Sequence, residues 1–69
     1  MQVESAAIAD IAYDPALARL VVRFVGGGVY AYAGVSGEVH RAFLAAESKG
    51  RFFAAEIRGR YPFDKLAGV

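Results

Sequence analysis

The chain has 69 residues, enough for one domain, and carries eight Lys or Arg against seven Asp or Glu, for a net charge of +1. It contains no cysteine, which excludes a disulfide framework and a zinc site built from thiolates. No apolar run approaches the ~20 residues that a helix needs to span a bilayer, and no signal peptide is recognisable. We therefore expect a single cytoplasmic domain over residues 1–69, with no membrane and no metal as partner.

The first predicted element is a strand over residues 5–13. Its two isoleucines, Ile8 and Ile11, are three residues apart rather than two. A regular strand cannot place both on one face, so we expect a β-bulge or a later start of the strand. Asp14 and Pro15 then predict a turn, because proline presets φ and aspartate accepts a backbone hydrogen bond.

The central part of the chain predicts a β-hairpin. Apolar residues alternate along two short segments, which is typical of half-buried strands. Between them lies a run of three glycines, whose backbone can adopt positive φ without a Cβ clash. The residues that define the hairpin are Leu20, Val22 and Phe24 in one strand, Gly26, Gly27 and Gly28 in the turn, and Tyr30 and Tyr32 in the other strand.

The length of the turn decides which face of the sheet the two tyrosines occupy. A three-residue loop over residues 25–27 pairs Leu20 with Tyr32 and Val22 with Tyr30, so that both tyrosines join the core beneath the helices. A two-residue loop moves them to the opposite face beside arginines, where they would form a platform for stacking nucleobases. We favour the three-residue loop because it gathers the large apolar side chains in one core.

Two helices are predicted after the hairpin. Ser36 is a typical N-cap, and apolar residues follow it at helical spacing. Gly50 is expected to end this helix as a C-cap in the left-handed conformation. Residues 51–59 predict a second short helix, in which Phe53 and Ile57 lie four positions apart on one face.

These elements predict an α+β domain, with a three-stranded antiparallel meander followed by two short helices packed on one face of the sheet. The core is expected to span about residues 5–61, with a loose tail over residues 63–69. The other face of the sheet is uncovered and fairly apolar, which suggests an interaction face for a second copy or another protein. This interaction face consists of Val21, Arg23, Val25 and Val29.

Residues that carry catalytic chemistry are sparse. Gly26 and Gly28 match part of a dinucleotide-binding motif, but that motif must open a helix and these glycines open a strand. His40 is the single histidine and lies four residues after Ser36, yet no acid or oxyanion hole completes a catalytic triad. One histidine without cysteine also argues against a transition-metal site. We therefore predict that the chain is not an enzyme and binds no cofactor.

The C-terminal third is basic, although the whole chain is nearly neutral. Residues 49–69 hold five basic residues against two acidic ones, whereas residues 1–48 hold three against five. Basic side chains attract phosphates, and the aromatic residues between them can stack on unpaired bases. The alternative is an ordinary solvent-exposed helix face. The candidate nucleic-acid-binding residues are Lys49, Arg51, Arg58 and Arg60.

A pattern of residues from about Ser5 to Tyr61 resembles a known family. Its pieces are Ser5, Ile8, Ile11 and Tyr13-Asp14-Pro15, then Leu20, Val22, Phe24, Tyr30-Ala31-Tyr32 and Val35, then Ala46, Ser48, Gly50, Arg51-Phe52-Phe53, Ile57, Arg58 and Tyr61. In order and spacing they are similar to the KTSC domain, a short module found at the C-terminus of some lysyl-tRNA synthetases and as stand-alone bacterial proteins. The resemblance implies no established activity. RNA binding has been suggested for the family from its fusion to the synthetase.

The chain departs from the family pattern at three positions. The family often has Asn-Gly where this turn has Gly26 and Gly27, and often has proline after the valine where Ser36 stands here. Asparagine is common after the aromatic pair, where this chain has Ala54. If that asparagine touches a ligand in the family, the contact is lost here.

The residues and the resemblance together suggest a small, non-enzymatic binding module. Weak binding of RNA is the first hypothesis, and interaction with a protein or with a second copy is the alternative. Basic residues clustered on one surface favour the first, whereas scattered arginines and an apolar sheet face favour the second.

Overall fold

The computed structural model describes residues 1–68 and shows a four-stranded antiparallel sheet with helices on one side. The strands lie in chain order across the sheet, and each pairs with the next. They are β1 (Ile8–Asp14), β2 (Arg19–Phe24), β3 (Val29–Tyr32) and β4 (Phe63–Ala67). The α+β class and the antiparallel meander agree with the prediction, but the predicted number of three strands was wrong.

The additional strand, β4, comes after the helices and pairs with β3. Tyr32 lies opposite Phe63 and Tyr30 opposite Lys65, so residues 63–67 are not the loose tail that was expected. All five side chains of β4 are exposed, and the segment therefore lacks the alternating burial that makes a strand recognisable. Backbone pairing with β3 orders it instead. Val69, the end of the predicted tail, lies outside the described residues.

The hairpin between β2 and β3 has the predicted three-residue loop. The Phe24 N–H donates to the Gly28 carbonyl oxygen at 2.8 Å and closes the loop. Gly27 adopts a φ of +105°, a conformation that side chains disfavour. Both tyrosines therefore share a face with the apolar residues of β2, and the alternative register is excluded. The pairs on this face are Leu20 with Tyr32 and Val22 with Tyr30.

β1 contains the irregularity that the isoleucine spacing predicts. Its pairing with β2 shifts register between Ile8 and Asp10, as a β-bulge does. The extra residue allows Ile8 and Ile11 to face the core together, and both are fully buried. On the outer edge of β1, Gln2 forms an isolated bridge with Asp10.

The helical segment contains one confirmed cap and one correction. The Ser36 hydroxyl accepts a hydrogen bond from the Val39 N–H at 3.2 Å, as predicted for an N-cap. Gly50 does not end the first helix, because Ser48 starts the second by accepting from the Arg51 N–H. Gly50 therefore lies inside a helix, and the serine cap prevails over the glycine stop signal. The helices are α1 (Gly37–Ala45) and α2 (Lys49–Phe52), followed by a π-helical turn (Phe53–Ile57).

The π-helical turn replaces the middle of the second helix that was predicted over residues 51–59. The Arg58 N–H donates to the Phe53 carbonyl oxygen, five residues back, at 2.9 Å. Phe53 and Ile57 are both buried, as predicted, and Gly59 with a φ of +76° follows the turn. No helix within residues 1–68 is long and apolar enough to cross a membrane.

The core lies on one side of the sheet, between the sheet and the helices. Tyr32 is 5% exposed and belongs to this core, whereas Tyr30 is half-buried at its edge, so the predicted burial holds more fully for Tyr32. Tyr13 in β1 stacks on His40 in α1, and its hydroxyl donates to the carbonyl oxygen of Val35, before the helix, at 2.6 Å. The core residues are Ile8, Ile11, Leu20, Val22, Tyr32, Val35, Phe43, Phe53 and Ile57.

We expect Tyr32→Ala to lower the free energy of unfolding by about 3–5 kcal/mol, because it removes a buried ring and leaves a cavity. Tyr32→Phe is the matched control. It keeps the ring, and the hydroxyl has no hydrogen-bond partner among residues 1–68, so it should change stability little. Urea unfolding measures both. An unchanged midpoint for Tyr32→Ala would show that this ring does not hold the core together.

Stability should also depend on pH through His40, which stacks on Tyr13 with ring centroids 4.5 Å apart. Burial lowers the pKa of His40 below 6.5, and Arg41 and the N-terminal ammonium act in the same direction. The unfolded chain therefore binds more protons than the folded one just below about pH 6.5.

The free energy of unfolding should consequently fall as the pH drops from about 6.5 through the folded-state pKa of His40. Urea unfolding between about pH 5 and pH 7.5 measures this slope, and His40→Gln should make it flatter. Identical slopes for the two proteins would assign the pH dependence to other groups.

Candidate binding site

A cavity of about 450 Å³ opens on the helix side of the sheet, between the β2–β3 hairpin and the π-helical turn. Its walls are mainly aromatic, and Arg58 is the one charged residue among those that line it in the described chain. Such a volume falls within the range of about 300–1,000 Å³ that is usual for small-molecule sites. The five rings in its wall belong to Phe24, Tyr30, Tyr32, Phe53 and Phe63.

Strand geometry brings three of these rings together. Tyr30 and Tyr32 are two positions apart in β3, so their side chains project to the same face. Phe63 in β4 lies directly opposite Tyr32 and joins that face. Gly28 leaves room for the first tyrosine, since a Cβ at Gly28 would lie 3.1 Å from the Tyr30 ring. The hairpin, β3 and β4 thus build one wall of the cavity.

The rings contact one another mostly edge to face. The centroid of Phe53 lies 5.1 Å from that of Phe24 and 5.6 Å from that of Tyr32, with interplanar angles of 79° and 72°. Phe63 approaches Tyr30 at 5.7 Å and 62°. Edge-to-face pairs are the favoured arrangement of aromatic side chains, so each ring helps to hold its neighbours in place. The rings of the cavity wall therefore pack against one another as well as against the core.

Two cations lie beside these rings. The Arg58 guanidinium carbon is 5.5 Å from the centroid of Phe53, which is within cation–π distance. The Lys65 ammonium is 6.0 Å from the centroid of Tyr30, at the outer limit of this interaction. Positive charge is thus held next to an apolar opening, which suits a ligand that is both flat and anionic.

Tyr32 belongs to the core, lines the cavity and carries a hydroxyl group that a ligand could contact. Burial raises the pKa of Tyr32 above 10.0, the Tyr30 hydroxyl adds to the rise, and Arg58 opposes it. The hydroxyl is therefore protonated at neutral pH and can both donate and accept a hydrogen bond. It has no hydrogen-bond partner within residues 1–68. Every fully buried side-chain oxygen or nitrogen in this part of the chain has a partner, so the Tyr32 hydroxyl is not fully buried and retains contact with solvent.

The four predicted nucleic-acid-binding residues occupy different environments. Arg58 lines the cavity, and the other three do not. Lys49 donates to the Ala46 carbonyl oxygen at the end of α1, and Arg60 donates through Nε to the Ala55 carbonyl oxygen at 3.0 Å. Arg51 is exposed in α2. A common binding surface for all four stays a prediction.

Arg51 and Arg58 are seven positions apart, a spacing that would predict a shared face if both lay in one regular α-helix. Seven residues correspond to about two turns of a regular α-helix, but residues 53–57 form a π-helical turn with i→i−5 hydrogen bonding. The wider turn contains more residues per rotation, so a shared helix face no longer follows from the spacing alone. The position of Arg58 is set instead by the end of this turn.

Sequence reasoning missed the cavity because its wall depends on Phe63. That residue falls in the segment expected to be loose, and its neighbours in β4 give no alternating pattern. The one available signal is an aromatic residue directly after Pro62, which restricts the chain to extended conformations near this point. Phe24 and Phe53 were correctly expected to lie on the helix side, but as core alone.

The predicted interaction face lies on the opposite side of the sheet, where no helix packs. Val21 and Val29 are half-buried, Arg23 is exposed, and Val25 beyond the strand end is 60% exposed. Arg23 lies opposite Asp10 in the neighbouring strand, so charges of opposite sign flank the apolar residues. This arrangement resembles a solvated sheet face with a small apolar centre.

The serine and histidine considered for catalysis have structural environments. The Ser36 hydroxyl caps α1, and the His40 ring stacks on Tyr13 with an interplanar angle of 19°. Among residues 1–68, no group of three or more histidine and acidic side chains could hold a metal ion.

Comparisons with known proteins relate the chain to one family. The profile of the KTSC domain matches residues 4–61. A protein of Tsukamurella paurometabola is 48% identical over 59 residues, which cover 86% of this chain and 88% of the relative. An uncharacterized protein of Stutzerimonas stutzeri is 40% identical over 50 residues, which cover 72% of this chain and 70% of the relative.

The fold is also similar to a solved structure. The crystal structure of a KTSC domain protein from Yersinia pestis matches with a TM-score of 0.95 and 39% sequence identity. The match covers 97% of this chain and 94% of the other, so it extends past residue 61, where the family profile ends.

Proposed function

The chain belongs to the KTSC domain family, and from the charges on its surface we propose that it is a non-enzymatic module that binds single-stranded RNA weakly. The phosphates are contacted by the predicted basic residues, with Arg58 nearest to the aromatic cavity. A cytoplasmic bacterial location, where RNA is abundant, suits this role.

The observation that carries the proposal is the absence of acidic partners around these cations. Among residues 1–68, the one ion pair joins the N-terminal ammonium and Asp10, 3.1 Å apart, on the other edge of the sheet. Arg51, Arg58 and Arg60 are exposed and form no ion pair with a described carboxylate. Unpaired arginines retain their full charge for a phosphate, and a guanidinium can donate two parallel hydrogen bonds to it.

The distribution of charge supports the same assignment. Two of these basic residues lie in α2 and two in the segment after the π-helical turn, in the part of the chain where basic residues outnumber acidic ones by five to two. A local excess of positive charge attracts a polyanion although the net charge is only +1. With about four contacts, binding is expected to be weak and strongly dependent on salt.

We expect the logarithm of the association constant for single-stranded RNA to fall with the logarithm of the salt concentration, with a slope near −0.7 for each phosphate contact. Replacing Arg51 and Arg58 together by glutamine should make this slope shallower by roughly 1 to 1.5. Fluorescence anisotropy with a labelled RNA, titrated at several salt concentrations, measures it.

The matched control replaces Arg19 and Arg23 by glutamine. It removes the same charge from β2, on the opposite side of the sheet, and should leave the slope nearly unchanged. Equal effects of the two double variants would mean that general charge, and not this site, attracts the RNA. Lack of binding by the wild type at low salt would remove the proposed function.

Self-association through the interaction face is the second candidate. It is favoured by the half-buried Val21 and Val29 on a side of the sheet that no helix covers, and by the 60% exposure of Val25 just beyond the end of β2. Burial of these valines against a second copy would remove apolar surface from water.

If this face forms a dimer, Val21→Lys should abolish it, because the substitution places a charge in the centre of the contact. Sedimentation velocity over a range of concentrations measures the oligomeric state, and circular dichroism checks the fold. Leu17→Lys is a control at another exposed apolar residue, in the β1–β2 connection. A wild type that stays monomeric at high concentration would rule out this candidate.

A further inference from the structure

We infer that the aromatic cavity accepts one unpaired nucleobase of the bound RNA, with an adjacent phosphate at Arg58. This inference rests on the proposed function and deepens it, since it assigns a base-stacking site in addition to the phosphate contacts. The ligand class is a nucleotide within a single strand, not an apolar metabolite.

The walls of the cavity have the chemistry of a base-stacking site. Five aromatic rings surround a volume of about 450 Å³. Proteins that bind single strands stack unpaired bases on such rings, and this stacking tolerates any base because every base has a π-face. Phe63 is 57% exposed although it belongs to the cavity wall, so much of its ring is available to a ligand from solvent.

A positive charge lies at the same cavity. Arg58 lines the same cavity and holds its guanidinium 5.5 Å from the centroid of the Phe53 ring. An uncharged apolar ligand offers the guanidinium no anionic partner, whereas a base that enters the cavity brings its own phosphate. The planar donors of arginine match phosphate oxygens. The aromatic rings therefore fit the base of a nucleotide, and the Arg58 guanidinium fits its phosphate.

Tyr32, one of the residues that line the cavity, adds a polar group. The Tyr32 hydroxyl has no hydrogen-bond partner within residues 1–68 and retains contact with solvent. As a phenol it can donate to or accept from the edge of a base. An aromatic side chain of a partner protein, such as phenylalanine, offers no polar edge to this hydroxyl. A nucleobase therefore satisfies more of the site than a phenylalanine side chain does.

The test compares two labelled hexamers of equal charge, an oligoadenylate and an abasic ribose-phosphate strand, at one salt concentration. Both should contact the basic residues, but only the oligoadenylate can stack in the cavity. Phe63→Ala should weaken binding of the oligoadenylate by about 5-fold to 150-fold, the range that corresponds to the usual stacking contribution of one aromatic side chain. Its binding of the abasic strand should remain that of the wild type, which also shows that the variant is folded.

Leu66→Ala is the matched control. Leu66 is 49% exposed in the same strand but does not line the cavity, so this variant should bind both strands like the wild type. In spectra of ¹⁵N-labelled protein, the amides of Gly28 and Gly59, both in the cavity wall, should shift with the oligoadenylate and not with the abasic strand.

The outcomes separate the two proposals. Equal binding of the two strands by the wild type, unaffected by Phe63→Ala, overturns the base site and leaves phosphate binding in place. Absence of binding to both strands removes both proposals. An acidic peptide with one phenylalanine is titrated in parallel. Binding of this peptide that depends on Phe63, without binding of the oligoadenylate, would assign the cavity to a protein partner and overturn the inference.

Discussion

The register of the β2–β3 hairpin is the constraint on which the rest of the structure depends. Because the loop contains three residues, Tyr30 and Tyr32 face the helices together with Leu20 and Val22. A shift of one residue would move both tyrosines to the outer face, since side chains alternate along a strand. The core would then lose a large ring, and the cavity would lose two of its five aromatic walls. A short turn with Gly27 at positive φ thus determines both how the core packs and which side chains line the cavity.

The features that the sequence predicts well are those with a local physical cause. The bulge in β1 follows from two isoleucines that are three residues apart, and the start of α1 follows from the Ser36 hydroxyl. β4 could not be predicted in this way, because its side chains are exposed and its order comes from backbone pairing with a strand distant in sequence. The cavity shares this limit, since Phe63 supplies part of its wall. Ser48 is a signal for the start of a helix and Gly50 a signal for the end of one. The structure shows that the serine cap prevails and that Gly50 lies inside α2.

The π-helical turn connects the core to the candidate site. Phe53 and Ile57, at its two ends, are both buried, and the hydrogen bond from the Arg58 N–H to the Phe53 carbonyl oxygen closes it. The Arg58 guanidinium consequently lies next to the ring of Phe53, the residue whose carbonyl oxygen accepts the hydrogen bond from the Arg58 backbone N–H. π-Helical turns are uncommon and are often found at functional sites. In this chain the turn places Arg58 at the wall of an aromatic cavity, where no ion pair with a carboxylate of residues 1–68 holds it.

The position of β4 at the edge of the sheet has a consequence for motion. Each of its side chains is exposed, so its attachment rests mainly on pairing with β3, and opening this strand costs less than unfolding the core. Local opening would carry Phe63 away from Tyr30 and Tyr32 while the hairpin and helices stay folded. We therefore expect the amide hydrogens of β4 to exchange sooner than those of β3, and the cavity to widen on the side of Phe63 whenever this edge strand opens.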